Sequence, residues 1–130
     1  MKKQITLAFA CCCLLAFVPA CEKNTPNNSN TYLDQADCTG VDIAGNSYDN
    51  EIKAILDSQC ATAGCHDALT KSEGIDLSTY AKAKTAFQNQ ACLCTIHHGP
   101  ECRPMPQDGA KLSDAVIKKI DCWAKNGYVE

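Results

Sequence analysis

The clearest chemical signature in the chain is a short segment with two cysteines and a histidine, CATAGCH, which contains Cys60, Cys65 and His66. A Cys-x-x-Cys-His segment attaches a c-type haem, because two thiols form thioethers with the vinyl groups and the adjacent imidazole binds the iron. Here four residues separate the cysteines instead of two. Gly64 relaxes the backbone where this longer loop must close, so the spacing is compatible with haem attachment.

Three other interpretations of this segment remain open on the residues alone. Cys60 and Cys65 could form a disulfide across a tight loop, as is common in exported proteins. A zinc site would need further ligands in matching geometry. A dithiol redox centre normally has only two residues between its cysteines. A second iron ligand elsewhere in the chain would favour the haem interpretation over these three.

Met105 offers that second ligand, since it lies between two prolines in the segment RPMP. A proline fixes its own φ and disfavours helical geometry in the residue before it. Met105 therefore cannot be core filler on a helix face. A rigid, extended loop that presents a thioether suits an axial haem ligand, and methionine–histidine ligation raises the reduction potential. His97 and His98 are the alternative axial ligands; otherwise they are solvated loop residues, or one of them hydrogen-bonds a haem propionate.

Helix patterns predominate in the part of the chain that must position these residues. Ser47 and the acidic residues after it predict a helix start, and this helix leads directly to Cys60. Its apolar stripe is formed by Ile52, Ile55 and Leu56. A second, short helix is predicted with Ser78 as its cap. Its buried face is formed by Tyr80, Ala83 and Phe87.

The last helix has the strongest pattern. Ser113 is the predicted cap, Leu112 before it can pack on Ile117, and Gly127 suits the left-handed position after the helix. Its apolar stripe comprises Val116, Ile117, Ile120, Trp123 and Ala124. Residues 91–109 contain three prolines, two glycines and three cysteines, which predict an ordered loop instead of a long helix. No strand pattern appears, so the predicted fold class is small and all-α.

The N-terminal region predicts export. A basic start, an apolar run and a small residue before Cys21 are typical of a secretory signal, which we assign to residues 1–20. The last residues of this segment, together with Cys21, resemble a bacterial lipobox, in which that cysteine is lipidated; ordinary cleavage would leave it free. Residues 21–37 are polar and Asn-rich, and we expect a flexible, lipid-anchored linker. The domain is assigned to residues 38–130, in a membrane-anchored lipoprotein that faces the periplasm or the outer membrane.

The charge of the mature chain limits its partners. The full chain has 12 basic and 15 acidic residues, and loss of residues 1–20 removes Lys2 and Lys3, which leaves a formal net charge of −5. An acidic surface argues against nucleic acid as a partner. A basic protein partner is compatible with it. Three of the eleven cysteines lie inside the signal and are removed with it.

The order of these features resembles a class I cytochrome c: a helix, the Cys-His segment, a second helix, the MP loop and the final segment KLSDAVIKKIDCWAKNGY. More narrowly, it is similar to the small cytochrome c-like lipoproteins of Bacteroidetes-type bacteria, over residues 48–129. The resemblance implies one covalently bound haem c, with thioethers at Cys60 and Cys65 and axial ligands His66 and Met105. The four-residue spacer departs from the family pattern.

The resemblance also bears on the remaining cysteines of the domain, which are Cys38, Cys92, Cys94, Cys102 and Cys122. A disulfide between Cys94 and Cys102 would brace the loop that bears Met105. Cys38 can reach Cys122 if the first and last helices cross as they do in cytochromes of this kind. Cys92 is then left unpaired. Trp123 is expected to pack in the core, against the haem edge or the first helix.

The expected function is therefore that of a monohaem c-type cytochrome, an electron carrier and not an enzyme in its own right. Its partners would be redox proteins of the cell envelope and, through the lipid anchor, the membrane, with no role for nucleic acid. Two alternatives remain. One is a haem domain with an open or labile sixth site for peroxide or small-gas chemistry. The other is a disulfide-stapled binding module without haem.

Overall fold

A computed structural model describes residues 29–130 of the chain, and this range contains helices but no β-strand. The all-α class is thus confirmed for these residues. The predicted signal (1–20) and Cys21 lie outside the described residues. The helices are α1 (Ser29–Gln35), α2 (Lys53–Gln59), α3 (Tyr80–Asn89), α4 (Cys92–His97) and α5 (Asp114–Lys125). A π-helical turn at Tyr48–Ile52 leads into α2, and a 3-10 turn is formed by Ser72–Gly74. None of the helices in 29–130 has the length and apolar character needed to cross a membrane.

Helix α2 delivers the chain to the Cys-His segment, as predicted. Ser47 caps the π-helical turn before it, since the Ser47 hydroxyl accepts a hydrogen bond from the Asn50 amide at 3.4 Å. Ile52 and Leu56 are completely buried in the core, which fixes the direction of the helix. The helix ends at Gln59, and Cys60 occupies the C-cap position.

Helix α3 begins one residue later than its predicted cap requires. Thr79 is the N-cap residue, and the Ser78 hydroxyl instead donates to the Asp76 carboxylate at 2.5 Å. The cap assigned to Ser78 is therefore wrong, because Asp76 takes up the hydroxyl that would have capped the helix. The buried face is as predicted: Ala83 and Phe87 are almost fully buried.

Helix α4 lies in a stretch predicted to be an ordered loop, and this is a correction to the sequence analysis. Nine residues of the stretch precede its first proline, Pro100, which leaves room for a short helix of six. Leu93 and Ile96 are 0% and 5% exposed, so burial in the core stabilises a helix that sequence pattern alone does not predict. His98 ends the helix in the left-handed conformation. Gly99 follows because a Cβ atom there would lie 2.2 Å from the Tyr32 hydroxyl.

Helix α5 has the predicted boundaries. The Ser113 hydroxyl accepts from the Val116 amide at 3.4 Å, and Gly127 adopts a positive φ after the helix. Trp123 is fully buried, as expected, and its indole N–H donates to the Val129 carbonyl at 2.7 Å. Its ring meets that of Phe87 edge to face, with the centroids 5.7 Å apart.

The predicted flexible linker differs from the structure in its second half, because residues 29–35 form α1. Tyr32 and Leu33 are among the few apolar residues of this stretch, and both pack against the core. The Tyr32 ring stacks on His97 with the centroids 4.5 Å apart. The Lys125 ammonium also donates to the Ala36 carbonyl at 2.7 Å. The described part of the linker therefore belongs to the folded domain.

Both predicted disulfides are present. One joins Cys38 to Cys122, and the other joins Cys94 to Cys102. The first closes a loop of 84 residues and ties the segment after α1 to the last helix. The second ties α4 to the start of the loop that bears Met105. Cys92 is unpaired, as predicted.

Candidate haem-binding site

The four predicted haem ligands lie together in the structure. Cys60, Cys65, His66 and Met105 all line one cavity of about 460 Å³. Cofactor sites are typically cavities of about 300–1,000 Å³ with mainly apolar walls. Two separate loops contribute these residues: one follows α2, and the other follows α4.

The walls of the cavity are continuous with the hydrophobic core. The apolar lining residues are Ile75, Leu77, Phe87, Ala91, Ile96 and Leu112. Leu77, Phe87, Ile96 and Leu112 also belong to the buried core of the domain. Polar lining residues are Gln59, Ser72, Gln90, Thr95 and Gln107, and the charged ones are Glu73 and Arg103. The cavity therefore suits an apolar ligand that has a few polar groups.

The four-residue spacer folds back on itself, which brings its two ends together. The His66 amide donates to the Cys60 carbonyl at 3.1 Å, and the Cys65 amide donates to the Thr62 carbonyl at 3.0 Å. Gly64 has a φ of +86° with no atom within 4 Å of an added Cβ, so its left-handed backbone is what requires glycine there. The longer loop thus keeps Cys60 and His66 joined by a direct backbone hydrogen bond.

Asp67 stabilises this loop, a role that the sequence analysis did not assign. Its carboxylate accepts from the amides of Thr70 at 2.6 Å, Leu69 at 2.7 Å and Gly64 at 3.1 Å. These hydrogen bonds, with that of Thr70 the largest, lower the pKa of Asp67. An aspartate that accepts from backbone amides two and three residues later is a typical turn former. The role of Asp67 in this turn could therefore have been predicted from the local sequence.

The orientation of the His66 imidazole is defined by one hydrogen bond. Its Nδ1 lies 3.3 Å from the Ile75 carbonyl oxygen. A carbonyl can only accept, so Nδ1 carries a proton in this contact, and Nε2 is the ring nitrogen left for a metal. Metal-binding histidines usually donate their second ring nitrogen to a carbonyl or carboxylate in this way. The Leu77 amide also donates to the His66 carbonyl at 2.9 Å, which fixes the backbone.

The backbone of Met105 is held on both sides. Its amide donates to the Thr95 carbonyl at 3.0 Å, and its carbonyl accepts from Nε2 of His98 at 3.1 Å. Thr95 lies on α4, and the Cys94–Cys102 disulfide braces the same loop. The thioether is therefore presented from a segment with little freedom to move.

His97 and His98, the alternative axial ligands, do not line the cavity. His97 directs Nε2 towards the buried Asp121 carboxylate at 2.9 Å. Burial raises the pKa of Asp121, and His97 opposes that shift. His98 positions the Met105 loop through the hydrogen bond described above. Nε2 of each histidine thus has a hydrogen-bond partner in the protein: the Asp121 carboxylate for His97 and the Met105 carbonyl for His98.

Three cysteines in the described residues are unpaired, and all three line the cavity: Cys60, Cys65 and Cys92. The disulfide between Cys60 and Cys65 that the sequence left open is not formed. Burial raises the pKa of the Cys60 thiol to about 11, with a smaller contribution from Cys65. Burial likewise raises the pKa of Cys92 to about 12, with a contribution from Cys60. Both thiols are therefore protonated at neutral pH.

Neither a metal-binding cluster among the described residues nor a similar known protein supports a function for this chain. Within residues 29–130, no three His, Cys, Asp or Glu side chains come together as a possible metal-binding group. No protein-family model, no curated protein and no solved structure matches the chain. The assignment of a function therefore rests on the cavity and on the residues that line it.

Proposed function

We propose that this protein is a monohaem c-type cytochrome that carries single electrons, with the helical fold of a small class I cytochrome c. The observation that supports the proposal is the convergence of Cys60, Cys65, His66 and Met105 on one apolar cavity. Three of these residues come from the Cys-His segment, and the fourth, Met105, comes from a distant loop between prolines. Convergence of this donor set has no evident purpose in a purely structural cavity.

The residues present fit the haem group. The cavity volume lies in the range of cofactor sites, and its walls are mainly apolar. The two thiols are unpaired, the His66 imidazole keeps Nε2 for a metal, and the Met105 thioether would be a second ligand of the iron. When bound, haem c supplies reversible one-electron chemistry at its iron.

The chain itself would contribute attachment, ligation and rigidity. Cys60 and Cys65 would hold the group covalently, and His66 and Met105 would ligate the iron. Hydrogen bonds fix the backbone of each axial ligand, and the His66 ring is fixed as well. Ligands that do not move on electron transfer keep the reorganisation small. The apolar walls exclude water, which together with methionine ligation favours a raised reduction potential.

The second candidate is a disulfide-stapled binding module without haem, and the two disulfides favour it. Such a module has no need of the His66 imidazole, whose Nδ1 donates to a carbonyl and leaves Nε2 available, beside the unpaired thiols of Cys60 and Cys65. An open or labile sixth site is a weaker variant of the haem proposal, because the Met105 backbone is held on both sides.

The cellular context is a proposal that rests on the N-terminal sequence. Export, cleavage before Cys21 and lipidation of that residue would hold the domain on a membrane of the cell envelope. Its partners would be redox proteins of the same compartment. The acidic surface of the mature chain suits a partner with a basic docking face.

A visible spectrum of the full chain, produced in a host that attaches haem c, tests this function. We expect a c-type spectrum in the reduced state and a weak far-red band in the oxidised state, the signature of methionine ligation. Met105→Ala should abolish the far-red band but keep the haem. A double variant, His97→Gln with His98→Gln, is the control for the alternative ligands and should retain the band. A colourless protein would favour the binding module.

A further inference from the structure

The charges at the cavity are few and opposite in sign. Among its lining residues, Arg103 has the one permanent positive charge and Glu73 has the one carboxylate. Both side chains are largely exposed, at 60% for Arg103 and 73% for Glu73, so they lie at the edge that faces solvent. Both are separated from the axial ligands by only a short length of chain: Glu73 follows the His66 loop, and Arg103 precedes Met105.

The contact between these two charges is weak. Their closest atoms, Nη1 of Arg103 and Oε1 of Glu73, are 3.9 Å apart. A strong arginine–carboxylate pair has two parallel hydrogen bonds of about 2.7–2.9 Å. Exposed ion pairs with so long a separation contribute little to the stability of the fold. The guanidinium has five N–H donors, and within residues 29–130 its one polar contact is with Glu73.

The position of the guanidinium is nevertheless restricted. Cys102 on one side of Arg103 is held in a disulfide with α4, and Pro104 on the other side has a fixed φ. The backbone of Met105 is pinned by Thr95 and His98. Arg103 is thus a cation with unused donors, held at the mouth of an apolar cavity.

We propose that Arg103 binds a propionate carboxylate of the haem at the mouth of the cavity and exchanges its weak contact with Glu73 for a charge-assisted hydrogen bond. This inference rests on the proposed function. A propionate cannot be buried against apolar walls without a partner, so it must lie at the mouth, where Arg103 is the one cation of the lining. Planar guanidinium groups match carboxylates in geometry as well as charge.

The two charges should affect the reduction potential in opposite directions. A positive charge near the haem favours the reduced state, because reduction removes one positive charge from the iron. Loss of Arg103 should therefore lower the potential, and loss of the Glu73 charge should raise it. We expect a three- to tenfold change in the ratio of reduced to oxidised protein for Arg103→Gln, which corresponds to about 28–59 mV for one electron. The exposed position should make this shift smaller at high salt.

Redox titration of the haem-loaded protein tests the inference, with four variants. Arg103→Gln should lower the midpoint potential, and Glu73→Gln should raise it. Arg103→Lys keeps the positive charge but not the planar contact, so its potential should lie between those of Arg103→Gln and wild type. Lys53→Gln is the matched control: it removes one exposed positive charge on α2, away from the cavity lining, and should leave the potential unchanged. Resonance Raman spectra should show a shifted propionate bending band in both Arg103 variants and an unchanged band in Lys53→Gln.

The possible failures are distinguishable. A haem-loaded Arg103→Gln variant with unchanged potential and propionate band would overturn the role of Arg103 and leave the cytochrome assignment intact. If the midpoint potential falls by the same amount in Lys53→Gln, the shift in Arg103→Gln is due to net charge alone, and the role of Arg103 is again overturned. A wild-type chain that takes up no haem would overturn this inference together with the proposed function.

Discussion

His98 should control how firmly Met105 is held, and His98→Gly is the perturbation that isolates this effect. The variant removes the hydrogen bond from Nε2 of His98 to the Met105 carbonyl, which is 3.1 Å long. Glycine is the correct replacement because residue 98 has a φ of +56°, where alanine would add backbone strain. A change at Met105 then reflects the lost hydrogen bond and not backbone strain.

The size of the effect follows from the energy of that bond. A typical intramolecular hydrogen bond contributes about 0.5–1.5 kcal/mol net. If this bond is lost when the loop releases Met105, the released state becomes about 2–13 times more populated in the variant. Added imidazole binds the iron only after Met105 leaves, so its apparent affinity should rise by the same factor.

Imidazole titration of the oxidised, haem-loaded protein, followed by loss of the far-red band, measures this factor. His97→Gln is the matched control, since His97 contacts Asp121 and not the Met105 loop. It should leave the imidazole affinity unchanged even if it lowers overall stability. Equal imidazole affinity in wild type and His98→Gly, with Met105→Ala clearly tighter, would refute the positioning role of His98.

Three further results are expected. Replacement of the Cys38–Cys122 pair by serine removes the closure of an 84-residue loop and should lower the free energy of unfolding by about 4–5 kcal/mol. Loss of the shorter Cys94–Cys102 disulfide should lower it by about 2–3 kcal/mol. Urea denaturation measures both values, and equal losses would argue against this ranking. Burial raises the pKa of Asp121, so the folded state favours its protonated form. The free energy of unfolding of wild type, relative to that of Asp121→Asn, should therefore fall as pH rises through the folded-state pKa. Stability curves that stay parallel would contradict this. Cys92 has a pKa of about 12 and should resist alkylation at pH 8 until the protein is unfolded; rapid labelling of the native protein would show that it is accessible.

Sequence pattern predicted the features that depend on local chemistry. The cap at Ser113 and the apolar period of the last helix located α5 with little error. Pro104 and Pro106 ruled out a helix at Met105 because their effect on the backbone is local. The Cys-His segment likewise located three of the four candidate ligands without knowledge of the fold. These are also the features that bring the four candidate ligands to the cavity.

Features that depend on tertiary packing were not predictable in the same way. Helix α4 exists because Leu93 and Ile96 are buried, and its six residues are too few for a periodic pattern. Helix α1 is ordered by contacts of Tyr32 and Leu33 with distant residues, although the surrounding sequence is polar. The role of His98 depends on a hydrogen bond across seven residues of loop. No rule for local sequence encodes such a contact.

The intact mass of the denatured chain, purified from a host that attaches haem c, shows whether haem is bound covalently. Attachment through Cys60 and Cys65 predicts one haem retained in wild type, in Cys92→Ala and in each single variant of Cys60 or Cys65, and none in the double variant Cys60→Ala, Cys65→Ala. A wild-type chain with no added mass, and with both cysteines recovered as free thiols or as a disulfide, would contradict it.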